Sequence, residues 1–223
     1  MRVVIGDIIP LALVVTISPL NIIPAILLLF TARPLASASA FLVGFIIGVG
    51  ALLGVLVAIA GAIDRSAHSG QATWVGIVKL VLGAYLMVAA VRKFRGRPGP
   101  DESAALPRWM DGVAGYSPGR SLGLGVVLGG LNPKNLVVGA AAAATIGSAG
   151  LSGGHQVVVA AVYVAVAVVG VAAPILVTVS LGDRSSGVLD GWKDWLGHNN
   201  ATVMSVLFAV FGVVLVGQGI AGV

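Results

Sequence analysis

Long apolar runs separated by short polar punctuation make up most of the chain, at approximately 5–30, 36–62, 72–91, 122–146, 156–181 and 201–221. A transmembrane helix needs about 20 mostly apolar residues to cross a hydrocarbon core about 30 Å thick. Each run has that length, and turns or polar loops lie between them. The pattern predicts an all-α membrane protein with six transmembrane helices. The second run carries Gly44, Gly48, Gly50 and Gly54 in two G-x-x-x-G spacings, which predicts a tightly packed interior helix unless these are the ordinary glycines of membrane spans. Arg2 ahead of the first run imitates a secretory signal, but no small-residue cleavage motif follows and the run's central motif recurs later. The first span is therefore expected to be retained.

Composition narrows the chemistry. Of 223 residues, 58% are hydrophobic and only 9% charged, where a soluble domain carries roughly 25% charged residues. The chain has no cysteine, which removes disulfides, thiol catalysis and Cys-based metal sites. Three His and eight acidic residues leave little for another metal centre, so no metal and no cofactor is expected. All eight acids, and His68, His155 and His198, fall in loops or near span ends. No buried carboxylate or histidine is placed as a midplane proton relay. An enzyme reading is not supported, because no nucleophile with a base appears at matched depth.

The net charge of +5 describes topology and not nucleic-acid binding, because the basic residues flank the spans. With both termini outside, Arg33, Arg92, Lys93, Arg95, Arg97, Arg108, Arg120, Arg184 and Lys193 lie on the cytoplasmic side, and only Arg2 and Arg65 lie outside. The main cytoplasmic loop is then 92–121. The expected organisation is a first three-helix repeat (1–95), a cytoplasmic linker (96–120), flexible at 97–103, and a second three-helix repeat (121–223). Two cytoplasmic segments are expected on the membrane surface. Val188, Leu189, Trp192, Trp195 and Leu196 share one helical face, and Leu106, Trp109, Met110 and Val113 repeat the spacing in miniature.

A tetrapeptide pattern, polar-Pro-x-Asn, occurs as Ser18-Pro19-Leu20-Asn21 and again as Asn132-Pro133-Lys134-Asn135, near the middle of the first and fourth runs. Proline removes a backbone donor and clashes with the preceding turn, while Ser or Asn before it can cap a new helix. Each run is expected to be two half-helices meeting near the midplane. Because the motifs open corresponding three-span halves, the second half enters from the opposite side, making an inverted 3+3 repeat. Half-helix N-termini at the breaks, together with Lys134, favour an anion or a polar anionic headgroup. The candidate substrate-binding residues are Ser18, Pro19, Asn21, Asn132, Pro133, Lys134 and Asn135, with Lys79 a third of the way into the third run. The competing readings are plain proline kinks, a structural Lys134 bonded to freed carbonyls, and a snorkelling Lys79. Pro10, Pro24 and Pro174 are expected to bend their helices, and Thr16 to bond within its own helix.

With a basic loop between the halves, these motifs resemble the LysE exporter superfamily. Ile17-Ser18-Pro19-Leu20-Asn21-Ile22-Ile23-Pro24 and Leu131-Asn132-Pro133-Lys134-Asn135 look most like its peptidoglycolipid- and sulfolipid-addressing (Gap/Sap) branch. The Pro-Gly-Pro element of the amino-acid-exporting branches is absent from the first run. The resemblance implies transport of envelope glycolipids or their precursors across the inner membrane of an actinobacterium such as a mycobacterium. It leaves open an exporter of a small anionic or zwitterionic solute, and an accessory or scaffold working with a larger lipid exporter. A homo-oligomer through the glycine-rich helix also stays open.

Overall fold

The computed structural model describes residues 1–66, 71–97 and 108–221, and every regular element among them is helical. The helices are α1 (Arg2–Thr16), α2 (Pro19–Leu28), α3 (Pro34–Ser66), α4 (Gln71–Arg95), α5 (Pro118–Gly130), α6 (Pro133–Gly147), α7 (Gly153–Ala167), α8 (Val169–Leu181) and α9 (Ser185–Ile220). Residues 98–103, Leu106, His68, Asp101 and Glu102 lie outside the described residues, as do the side chains of Asp64, Arg65 and Arg108.

Three stretches, Pro34–Ile63, Trp74–Arg95 and Val169–Ile220, are long and apolar enough to cross a membrane. Counting each of two bent helix pairs as one span raises the number to five. The last stretch contains a turn at Gly182, whose φ of +54° is open to glycine and disfavoured for other residues. Ahead of it, α7 is a shorter apolar helix.

Lipid tails are as apolar as the helices, so packing depends on close backbone approach at small residues. A Cβ on Gly44 would meet Leu122 O, and one on Gly48 would meet Val126 O and, at 2.8 Å, Gly130 N. Farther along, Gly139 packs on Leu56 and Gly147 on Ala60. The order of these contacts makes α3 run the full length of α5 and α6 in the same direction. On the opposite flank α1 packs on α7 and α2 on α8, again in chain order. Helices α4 and α9 cross the other way, since Gly83 meets Gly212 O at 2.9 Å while Gly219 meets Gly76 O at 2.9 Å.

Several expectations change here. Only Gly44 and Gly48 are packed; Gly50 and Gly54 face open space, because the two spacings lie on different sides of α3. The segment expected to sit on the surface at 106–113 forms a 3-10 turn, Arg108–Gly115, and buries Met110 and Val113 in the core beside α2, leaving Trp109 exposed. The expected linker is thus partly structured. The surface helix expected at 188–196 is the first part of α9, which continues unbroken to Ile220. His198, Asn199 and Asn200 interrupt the apolar pattern but not the helix, and Asn199 Nδ2 donates back to Trp195 O at 3.0 Å. Leu189 and Leu196 face the protein, whereas Val188, Trp192 and Trp195 are exposed.

Candidate functional site

The two proline motifs do break their helices. Helices α1 and α2 meet at 53°, and α5 and α6 at 54°. At each break Ser18 or Asn132 is extended, and proline opens the next helix at its first position. Pro19 has no N–H to offer Val15 O, and α1 has ended before Ser18 could serve Val14 O. In the same way, Leu128 O and Gly129 O lose their helical partners at the second break.

Asparagine three residues into each motif reaches back across the gap. Asn135 Nδ2 donates to Leu128 O at 3.0 Å and to Gly129 O at 3.1 Å. Asn21 Nδ2 donates to Val15 O at 3.4 Å. That leaves Val14 O, and Lys134 Nζ from the other break donates to it at 2.7 Å. The lysine therefore ties the two breaks together.

The caps differ. Asn132 Oδ1 accepts from Lys134 N at 3.1 Å, as expected of an N-cap. Ser18 makes no such bond, contrary to the cap expected of it, and Asn21 N already donates to the Ser18 carbonyl at 2.9 Å. Four buried side-chain atoms on the motifs have no hydrogen-bond partner: Ser18 Oγ, Asn21 Oδ1, Asn132 Nδ2 and Asn135 Oδ1. Among the described residues the only other such atom is Trp74 Nε1. Two of the four motif atoms carry donors and two are acceptors. Pro19 is buried, while Pro133 and its neighbour Leu131, the latter 76% exposed, stand on the outer wall of the bundle.

Lys79 does not join this group. It is half-buried on α4, and the charge that acts on it is Asp7, beyond ion-pair distance on α1. Asp7 lies seven residues before Val14, about 10 Å along the helix. Among the described residues Lys79 makes no hydrogen bond or ion pair with the residues of either break.

Thr16 and Gly170 carry structure that the sequence did not signal. Thr16 Oγ1 donates both to Ala12 O in its own helix, at 3.1 Å, and to Val166 O, at 2.6 Å, where α7 gives way to α8. The fifth apolar run divides at Val168, between α7 and α8 and upstream of Pro174, next to the Val166 carbonyl that Thr16 holds. A Cβ on Gly170 would collide with Thr16 O. Each break is thereby backed by a glycine from the other half: Gly170 behind the first, and Gly48, against Gly130, behind the second.

Three cavities lie beside these elements. Arg33 lines two of them, of about 770 Å³ and about 280 Å³. The third, about 390 Å³, is lined by Ile22, Gly170, Ala173, Trp192, Trp195 and Leu196. Among the described residues no cluster of three His, Cys, Asp or Glu could hold a metal ion.

No curated protein and no solved structure matches the chain. The model of one family does, described as Sap, sulfolipid-1-addressing protein, a name that refers to the addressing of a lipid and not to catalysis. The match covers residues 8–221, taking in both breaks, the second half of α1 and every later helix, and the chain belongs to that family.

Proposed function

We propose that the chain is a lipid translocator of the bacterial inner membrane. It moves an envelope glycolipid or lipid precursor with an anionic or sugar-bearing headgroup towards the outer face, with the headgroup engaged at the paired helix breaks. The observation that carries this reading is the set of unpartnered buried atoms on Ser18, Asn21, Asn132 and Asn135, on two breaks that Lys134 links. Buried polar groups normally have partners, and a mixture of donors and acceptors beside a lysine suits a headgroup with hydroxyls and a negative charge. The family's lipid-addressing name supports the same substrate class. Acyl chains can stay in lipid, because Leu131 and Pro133 lie on the outer wall.

Six crossings in an inverted 3+3 arrangement are part of this proposal, with α7 and α8 as one span and Gly182 as a turn between spans. The packing directions support it. Six alternating crossings require the first and fifth spans to be parallel, the second and fourth parallel, and the third and sixth antiparallel. Helices α1–α2 with α7–α8, α3 with α5–α6, and α4 with α9 meet those requirements. The broken first and fourth spans also fit the LysE superfamily. Both termini outside and the basic end cytoplasmic complete the reading.

The test is transfer of labelled lipid to the outer leaflet in liposomes, paired with surface lipid in cells. Lys134→Ala and Asn132→Leu, at unchanged membrane abundance, should reduce both. Unchanged transfer would reject the site. A second reading has one observation in its favour: Lys134 Nζ is already engaged by Val14 O, as a purely structural lysine would be. In that reading the chain is an accessory of a larger lipid exporter, inactive alone in liposomes and recovered with that machine.

A further inference from the structure

Arg33 sits in the turn between α2 and α3, on a wall shared by two cavities. Its guanidinium has no hydrogen-bond or ion-pair partner among the described residues. Asp183, also without an ion pair, and Ser186 line the larger cavity with Arg33 as exposed residues, while the buried Leu29 and Leu189 give it an apolar floor. A charge-bearing rim over an apolar floor matches the interface of a lipid headgroup with its acyl region. Arginine's planar fork suits a phosphate or sulfate ester. The neighbouring Asp183 disfavours a bare anion and instead accepts hydrogen bonds from headgroup hydroxyls.

The floor continues along α9. Leu189, Trp192 and Leu196 recur at helical spacing, and Trp192, Trp195 and Leu196 line the apolar cavity about 10 Å farther along the helix. Ile22 and Gly170 also line that cavity, and Gly170 packs on the Thr16 carbonyl at the first break. Polar rim, apolar face and helix break therefore follow one another in space.

We infer that this end of the bundle is a loading site for one anionic, hydroxyl-bearing lipid, with its headgroup between Arg33 and Asp183 and an acyl chain against Trp192 and Trp195. It rests on the translocator reading but occupies a different place from the breaks. The lipid docks here before its headgroup reaches Ser18.

Tryptophan quenching by brominated lipids reads this site directly. In a Trp74→Phe, Trp109→Phe background only Trp192 and Trp195 remain to report. Brominated phosphatidylglycerol should quench them at about one fifth of the mole fraction needed for brominated phosphatidylcholine, the factor that corresponds to about 1 kcal/mol per basic residue. Arg33→Gln should abolish that preference, Asp183→Asn should increase it, and Arg184→Gln, which alters a neighbouring charge outside the cavity, should keep it. Equal quenching by the two lipids, or equal losses in Arg33→Gln and Arg184→Gln, overturns the site in favour of a general surface potential. If Arg33→Gln fails to fold, an unchanged preference in Asp183→Asn is sufficient to overturn it. Lys134→Ala should keep the lipid preference while losing transfer, so failure of the loading site and failure of the break site give different results.

Discussion

Lys134 Nζ lies 2.7 Å from Val14 O, so the side chain of one helix break completes the backbone of the other. The amine satisfies a carbonyl that α1 cannot satisfy for itself, 120 residues away in the chain. On the proposed function, a headgroup that drew Lys134 away would have to compensate Val14 O, and ligand engagement would then be coupled to the packing of α1 on α6.

Loss of that amine should therefore affect transport and stability together. Lys134→Ala should lower lipid transfer by about tenfold, the equivalent of one charge-assisted hydrogen bond of roughly 1.5 kcal/mol. It should also lower the thermal midpoint in detergent. Initial rates of labelled-lipid transfer, normalised to reconstituted protein, check the first effect, and a melt followed by circular dichroism checks the second.

The two asparagines should differ in cost. Asn135 serves two carbonyls at 3.0 and 3.1 Å, whereas Asn21 serves one at 3.4 Å. Hydrogen bonds inside membranes average about 0.6 kcal/mol and reach about 1.7. Asn135→Ala should then cost about 1–2 kcal/mol and Asn21→Ala less than about 1 kcal/mol, read as the difference in unfolding free energy in mixed micelles. The reverse order would contradict the bonding described at the breaks.

Glycine substitutions should separate the packed face of α3 from its open one. Gly48→Ala places a Cβ against α5, and Gly170→Ala places one against Thr16 O; each should destabilise by about 1–3 kcal/mol through overpacking. Gly50→Ala and Gly54→Ala meet nothing within 4 Å and should stay within about 0.5 kcal/mol of the parent. Thermal melts of the four variants decide the matter.

Topology can be read without background labelling, because the chain has no cysteine. Ser186→Cys should resist a membrane-impermeant maleimide in intact cells and react in inverted vesicles. Ala149→Cys, in the turn after α6, should do the opposite. Labelling of both from the same side would overturn the six-crossing arrangement.

The helix breaks were legible because their cause is local. Proline withdraws an N–H wherever it stands, and the repeated Ser18-Pro19 and Asn132-Pro133 pairs marked both positions. What compensates the freed carbonyls was not legible. Asn21 and Asn135 could be named as polar, but their reach back to Val15, Leu128 and Gly129 depends on the bend angle. Lys79 and Lys134 both stood out as lysines within apolar runs, yet only Lys134 bonds across the breaks, to Val14 O. Thr16 looked like any threonine of a membrane helix until α7 was placed against it.

By itself the sequence determined that this is a helical membrane protein, where two of its helices break and which side chains stand at the breaks, since apolar run length and proline chemistry act within a few residues. Only the tertiary structure decided which glycines pack, where Met110 and Val113 go, and that Lys134 serves Val14. Those outcomes depend on which surfaces approach to within a few ångströms, and in lipid, where burial of apolar surface does not drive helices together, close fit and polar pairing make that choice.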